Sequence, residues 1–236
     1  MKKNIIICGS SGALGNFIFK KLKKNKSYRC IGLSRTKKNL EGNYTCDFLS
    51  FSNLKTVLME LKKKYKKIDG VIFCIGQSKK KYKDIDHLKF WRSSLDDNFL
   101  VFVNFLNAFK NIFKRTQTKI IIMSSIAGIK IIDAPITYAV SKAALNFYSK
   151  SKAKSLAKDG IQLNIISLGN IYQSGNNWDK KIKKNKKNVL NYINENVPSK
   201  KFCTPEEIYE LCLTLLKSNN SNFYGSNIVL DGGQSL

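Results

Sequence analysis

Residues 5–15 read Ile-Ile-Ile-Cys-Gly-Ser-Ser-Gly-Ala-Leu-Gly. The first four make a short apolar run of strand type. From Leu14 to Lys24 the apolar residues return at helical spacing. Gly9, Gly12 and Gly15 occupy the connection. A strand that passes at once into a helix needs a residue tolerant of positive φ there. A phosphate can approach backbone N–H groups at the helix start only where no Cβ obstructs. The stretch therefore predicts a strand, an anion-holding loop and a helix, with Gly9, Ser11, Gly12, Leu14 and Gly15 as the contacts.

The same alternation continues along the 236 residues. Strands are expected at 4–8, 29–34, 44–46, 69–75, 119–124, 161–167 and 226–230. Helices are expected at 14–24, 53–66, 95–114, 136–158 and 205–216. Alternating strands and helices predict an α/β fold: a doubly wound, seven-stranded parallel sheet flanked by helices. The strands read as unbroken apolar runs, as in Ile120-Ile121-Ile122, which suits strands covered on both faces. With no internal repeat and no Pro/Gly/Ser linker, residues 1–236 read as one domain. Residues 173–197 break the alternation; they are expected to form a mobile lid of loop and short helix over a site.

Composition narrows the function. Lys and Arg total 42 against 16 Asp and Glu, a net charge of +26. The lysines lie in runs along the whole chain (20–26, 62–67, 79–83, 150–154 and 180–187), not in one stripe or tail. Arginine occurs only at 29, 35, 92 and 115. This reads as compositional bias, and no specific nucleic-acid partner is expected. The six cysteines contain no C-x-x-C pair, and His87 is the one histidine, so no metal site is expected. His87 reads as a surface residue, and no G-x-S-x-G elbow accompanies it to suggest a hydrolase. No apolar run approaches the roughly 20 residues of a membrane span. No secretory signal is evident, so a cytoplasmic location is expected.

An acidic residue about 20 positions beyond the glycine loop would select NAD through its ribose hydroxyl. The second strand instead ends Leu33-Ser34-Arg35-Thr36-Lys37-Lys38, with no acid before Glu41. Arg35 can pair with a 2′-phosphate and Ser34 can donate to it. NADP(H) is therefore expected in preference to NAD(H).

Residues 119–142 carry the chemistry. Ser125 follows a buried strand, at the sheet edge where open α/β folds bind ligands. Tyr138 and Lys142 lie one helical turn apart. A lysine ammonium beside a phenol favours the phenolate, so the tyrosine pKa is expected to fall toward working pH, ready for acid–base chemistry.

Together these pieces resemble the short-chain dehydrogenase/reductase family in its single-domain form, over nearly the whole chain, which implies a Rossmann fold. The Tyr-x-x-x-Lys pair matches Tyr138 and Lys142, and the serine thirteen residues earlier matches Ser125 in Ser124-Ser125-x-x-Gly128. The resemblance makes these three catalytic, with Asn98 as the fourth member. It places Asp47 at the adenine, Tyr138 and Lys142 on the cofactor too, Gly169 to Ile171 near the nicotinamide amide, and Gly76 in the loop after the fourth strand. Departures occur. Cys8 stands where the first loop usually has threonine, and the middle glycine is at 12. Phe73-Cys74-Ile75-Gly76 replaces Asn-Asn-Ala-Gly. Leu168 and Gln173 replace the usual proline and threonine.

The expected activity is interconversion of a ketone and a secondary alcohol. The segment Gly169–Trp178, followed by the Pro198 to Phe202 stretch and Thr204-Pro205-Glu206-Glu207, resembles members acting on (nucleotide-)sugars in bacterial surface-polysaccharide synthesis and, less closely, 3-oxoacyl-carrier-protein reductases. Helix 95–114 is apolar nearly all round, and the resemblance implies a homodimer or homotetramer through it and 136–158. The rival class is a non-catalytic cofactor sensor or nucleic-acid binder.

Overall fold

The pattern of apolar residues sorts the strands onto two faces. A computed structural model describes residues 2–36, 42–78, 87–114, 116–219 and 222–236; Lys37, Lys38, Glu41, the lysine run 79–83 and Arg115 lie outside the described residues. Seven strands form one sheet: β1 (Lys3–Cys8), β2 (Tyr28–Ser34), β3 (Asn43–Thr45), β4 (Gly70–Phe73), β5 (Thr118–Ser125), β6 (Ile161–Leu168) and β7 (Asn227–Leu230). The spatial order is β3-β2-β1-β4-β5-β6-β7, and every pairing is parallel. The seven-stranded, doubly wound expectation therefore holds.

Because side chains alternate along a strand, Ile6, Cys8, Ile120 and Ile122 pack on one face with α2 (Phe51–Tyr65), α4 (Val101–Ile112) and α5 (Ile136–Lys158). Ile5, Ile7, Ile121 and Met123 face α1 (Ala13–Lys24) and α8 (Pro205–Lys217) on the other. The chain winds outward from β1 to β3, then returns to β4 on the other side of β1. That reversal opens a crevice at the carboxyl ends of β1 and β4.

The expected helix 95–114 is divided. It starts earlier, as α3 (Leu88–Leu95), passes through a wide π-helical turn at Asp96–Leu100 and continues as α4. Phe102, Phe105, Phe109 and Phe113 are fully buried. Phe73 packs against Phe102 and Phe105, whose rings lie 5.0 and 5.5 Å away, and the stacking runs on through Phe109 and Phe113. The chain itself thus covers these four rings, as a well-buried core helix requires. The exposed apolar stripe lies on α5 instead: Ile136, Val140 and Phe147, the last 78% exposed.

Residues 173–197, expected as a mobile lid of loop and short helix, carry more regular structure than their sequence suggests. They contain α6 (Asn177–Lys184) and α7 (Lys186–Asn196), and Val189, Ile193, Val197 and Phe202 form a small separate core with Trp178, Ile182 and Tyr192. Trp178 lies 5.2 Å from Tyr192 and 4.6 Å from Phe202, ring to ring. Long-range aromatic contact with Phe202 supplies what the weak local periodicity lacks.

Phe105→Ala should reach the densest part of this packing. It is expected to destabilise the protein by about 3–5 kcal/mol, read as a lowered urea midpoint with unchanged slope.

Candidate active site

Glycines shape the bed of the crevice. Gly9 has φ +81° and turns β1 toward α1. A Cβ on Gly15 would stand 2.3 Å from the Gly9 carbonyl oxygen, so helix and loop touch backbone to backbone. Gly12 precedes α1 with no side-chain cap, which leaves the first-turn N–H groups of the helix directed at the crevice.

Two cavities open there and meet. The outer one is lined by Gly9, Ser11, Gly12, Ser34, Arg35, Asp47, Gly76, Gln77 and Asp97 among others. The inner one is lined by Gly12, Leu14, Gly15, Ser125, Tyr138, Lys142, Gly169 and Ile171, with Met123, Ser124, Gln173 and Asn176. Gly12, Cys74, Ile75 and Gly76 line both, so they form one cleft. Every site residue expected from the sequence lies on this cleft except Asn98, which stands immediately behind it. Gln77, Asp97, Ser124 and Asn176 are additions; in sequence they are ordinary polar residues without a distinguishing pattern.

The outer end corrects one expectation. Ser34 is buried, and its hydroxyl donates to the Thr36 carbonyl at 2.8 Å. It holds the strand end in shape instead of presenting a donor. Arg35 is exposed on the cavity wall. Asp47 accepts from the Leu49 amide at 3.0 Å, which orders the turn after β3.

The inner end is built by three elements. The Ser125 oxygen caps a 3₁₀ turn, Ile126–Gly128, by accepting from the Ala127 amide at 3.2 Å. Its hydroxyl also bonds the Tyr138 phenol. Lys142 is 3% exposed and donates to the Met123 carbonyl at 3.2 Å. Its ammonium stands 5.8 Å from the centre of the Tyr138 ring. Asn98, fully buried on the π-helical turn, accepts from the Gln77 amide at 2.9 Å and donates to the Gln77 and Ser94 carbonyls. A Cβ on Gly76 would lie 2.8 Å from the Lys142 nitrogen and 2.9 Å from the Asn98 oxygen. Only glycine leaves that gap between them.

Burial governs the ionisation. It pushes the Tyr138 phenol above its ordinary value, with the Ser125 bond pulling the other way. The expected lowering of this pKa by Lys142 is therefore corrected: the ammonium points at a carbonyl, and desolvation of the phenolate wins. Burial lowers Lys142 to about 8, opposed by the nearby Cys74. Burial raises Cys74 to about 12, opposed by Lys142.

A doubly wound parallel sheet with serine, tyrosine and lysine converging on its crevice defines a class of single-domain α/β oxidoreductases. A family model described as "Enoyl-(Acyl carrier protein) reductase" matches residues 21–235. The chain belongs to the short-chain dehydrogenase/reductase family and is an oxidoreductase acting on alcohol and ketone groups. It is 26% identical to the 3-oxoacyl-[acyl-carrier-protein] reductase FabG of Buchnera aphidicola from Acyrthosiphon pisum, covering 100% of this chain and 98% of the relative. L-Sorbose reductase from Gluconobacter frateurii, solved with NADPH and L-sorbose, superposes with a TM-score of 0.87 at 21% identity, over 99% of this chain and 96% of the other. A short-chain dehydrogenase from Leptospira borgpetersenii with bound NAD+ gives 0.82 at 23% identity, over 100% and 94%.

Lys142 also makes stability depend on pH. Its folded pKa is lowered, so the unfolded chain binds more protons there between about pH 8 and 10.5, and its contribution to stability rises with pH across that window. Lys142→Met removes the buried charge. It should stabilise the fold at pH 7 by on the order of 1–3 kcal/mol, with the gain shrinking toward pH 10 in urea titrations.

Proposed function

We propose that the protein is an NADP(H)-dependent reductase that converts a ketone to a secondary alcohol. The observation that carries this reading is the single cleft with Arg35 at one end and Ser125, Tyr138 and Lys142 at the other. The cleft suits a dinucleotide: glycine backbone and free helix N–H groups for the pyrophosphate, Asp47 at the adenine end, Gly169 and Ile171 at the nicotinamide end. Among the described residues, Arg35 and Thr36 follow β2 directly, and neither is a carboxylate that would select a ribose 2′-hydroxyl. Arg35 instead suits a 2′-phosphate. Relatives of the same fold are known with NADPH and with NAD+, so the preference rests on this residue.

A bound nicotinamide supplies the hydride for the carbonyl carbon. Tyr138 gives its proton to the oxygen as charge develops there, and Ser125 donates a hydrogen bond to the same atom. A phenol whose pKa is held up by burial keeps its proton at neutral pH, which suits the reductive direction. Lys142 holds positive charge behind the tyrosine and binds the cofactor ribose. The Asn98 oxygen has a second lone pair beside the Gly76 gap, where it can hold a water that resupplies the proton.

For the substrate, a 3-oxoacyl group on a carrier is favoured over a surface sugar. The relative aligned over the full chain acts on the former, whereas the sugar reading rests on local stretches, Gly169–Trp178, Pro198 to Phe202 and Thr204 to Glu207. The exposed stripe of α5 fits a contact with a second copy. Six free thiols suit the cytoplasm.

Thermal unfolding separates the cofactors. NADPH at a hundred times its dissociation constant should stabilise by about 2.7 kcal/mol, NADH much less, and Arg35→Ala should erase the difference. Equal shifts in the wild type would overturn the preference. Tyr138→Phe should lower turnover of a 3-oxoacyl thioester by about 10²–10⁴-fold while NADPH binding persists; retained turnover would remove Tyr138 from its role.

A further inference from the structure

The lid is joined across the cleft to the glycine loop by one side chain. The Gln173 amide nitrogen donates to the Ala13 carbonyl at 3.1 Å, between residues 160 positions apart. Ala13 opens α1 directly after Gly12. Gln173 lines the inner cavity along with Gly12, Ala13, Leu14 and Gly15, and with Ser125, Tyr138 and Lys142. The contact thus lies where the loop meets the catalytic end.

The backbone on either side of Gln173 is fixed independently of that contact. Ile171 bridges to Cys203, and the Tyr172 amide donates to the Cys203 carbonyl at 2.9 Å. The Asn176 amide closes a turn on the Gln173 carbonyl at 3.0 Å. The Asn176 side chain donates to the Ile171 carbonyl at 2.7 Å and accepts from Trp178 and Asp179 at 3.0 Å each. Asp179, 4% exposed, accepts from the Gly175 amide at 2.8 Å and from the Tyr172 hydroxyl at 3.4 Å. The lid root is therefore a braced strap, and rotating the Gln173 side chain breaks none of these bonds.

We propose that Gln173 gates the passage of the dinucleotide into and out of the cleft. It acts as a side-chain bolt that swings away from Ala13 for the cofactor to enter or leave, then closes again over the glycine loop. The proposal rests on the cofactor reading above. Gln173 has both features a bolt needs. It is long enough to reach the helix from the strap. It is also uncharged, so its amide meets the carbonyl without repelling or trapping a pyrophosphate.

A bolt that is shut in both the free and the loaded protein slows passage in both directions. An ordinary ligand contact slows departure alone. Stopped-flow fluorescence with NADPH distinguishes them, using the wild type, Gln173→Ala and the length-matched Gln173→Met, which lacks the donor. The expected result is that both variants associate and dissociate about fivefold faster, the scale of one solvent-accessible hydrogen bond, while Kd moves less than twofold. Unchanged rates, or faster dissociation with Kd weakened by the same factor, would overturn the bolt and leave the cofactor reading standing. A wild-type protein that binds neither NADPH nor NADH would overturn both.

Discussion

A lysine ammonium withdrawn from water is the constraint on which the site depends. Lys142 has the Met123 carbonyl as its direct partner, with Asn98 across the Gly76 gap. Burying such a charge is costly unless its surroundings are fixed. They are fixed here by close approach. A Cβ on Gly128 would strike the Lys142 and Ala143 backbone at 2.7 and 2.8 Å, so the turn after β5 seats directly on α5. The same seating brings Ser125 to Tyr138. The π-helical turn brings Asn98 in from the opposite side, its amide engaged on both sides by Gln77 and Ser94. Charge, phenol and hydroxyl are thus held by main-chain geometry, not by a network of exposed side chains.

Much of this was legible in the sequence, for physical reasons. Doubly covered strands must be apolar throughout, so Ile5-Ile6-Ile7 and Ile120-Ile121-Ile122 announce themselves. The i, i+4 spacing of Tyr138 and Lys142 fixes a shared helix face. The glycine loop is legible because its residues answer to backbone sterics. All of these depend on local rules.

What was not legible depends on contacts between distant residues. The ordering of 173–197 comes from Phe202, which follows the segment and completes the Trp178–Tyr192 stack. Covering of the Phe102–Phe113 face comes from Phe73 and the helices around it. The Tyr138 pKa is raised by burial, and no helical spacing specifies how deep the phenol sits. Likewise Ser34 looks like a ligand donor until the chain bends and supplies the Thr36 carbonyl.

The apolar core of the lid is separate from the two cores that grip the sheet. Apolar substitutions at Val189, Ile193 and Val197 therefore fall on that small cluster, whereas Asn176, Asp179 and Tyr192 tie the segment to Ile171, Tyr172 and Asn170. In evolutionary terms residues 177–197 are an exchangeable part wherever the changes spare Asp179 and Tyr192, because their apolar core is their own.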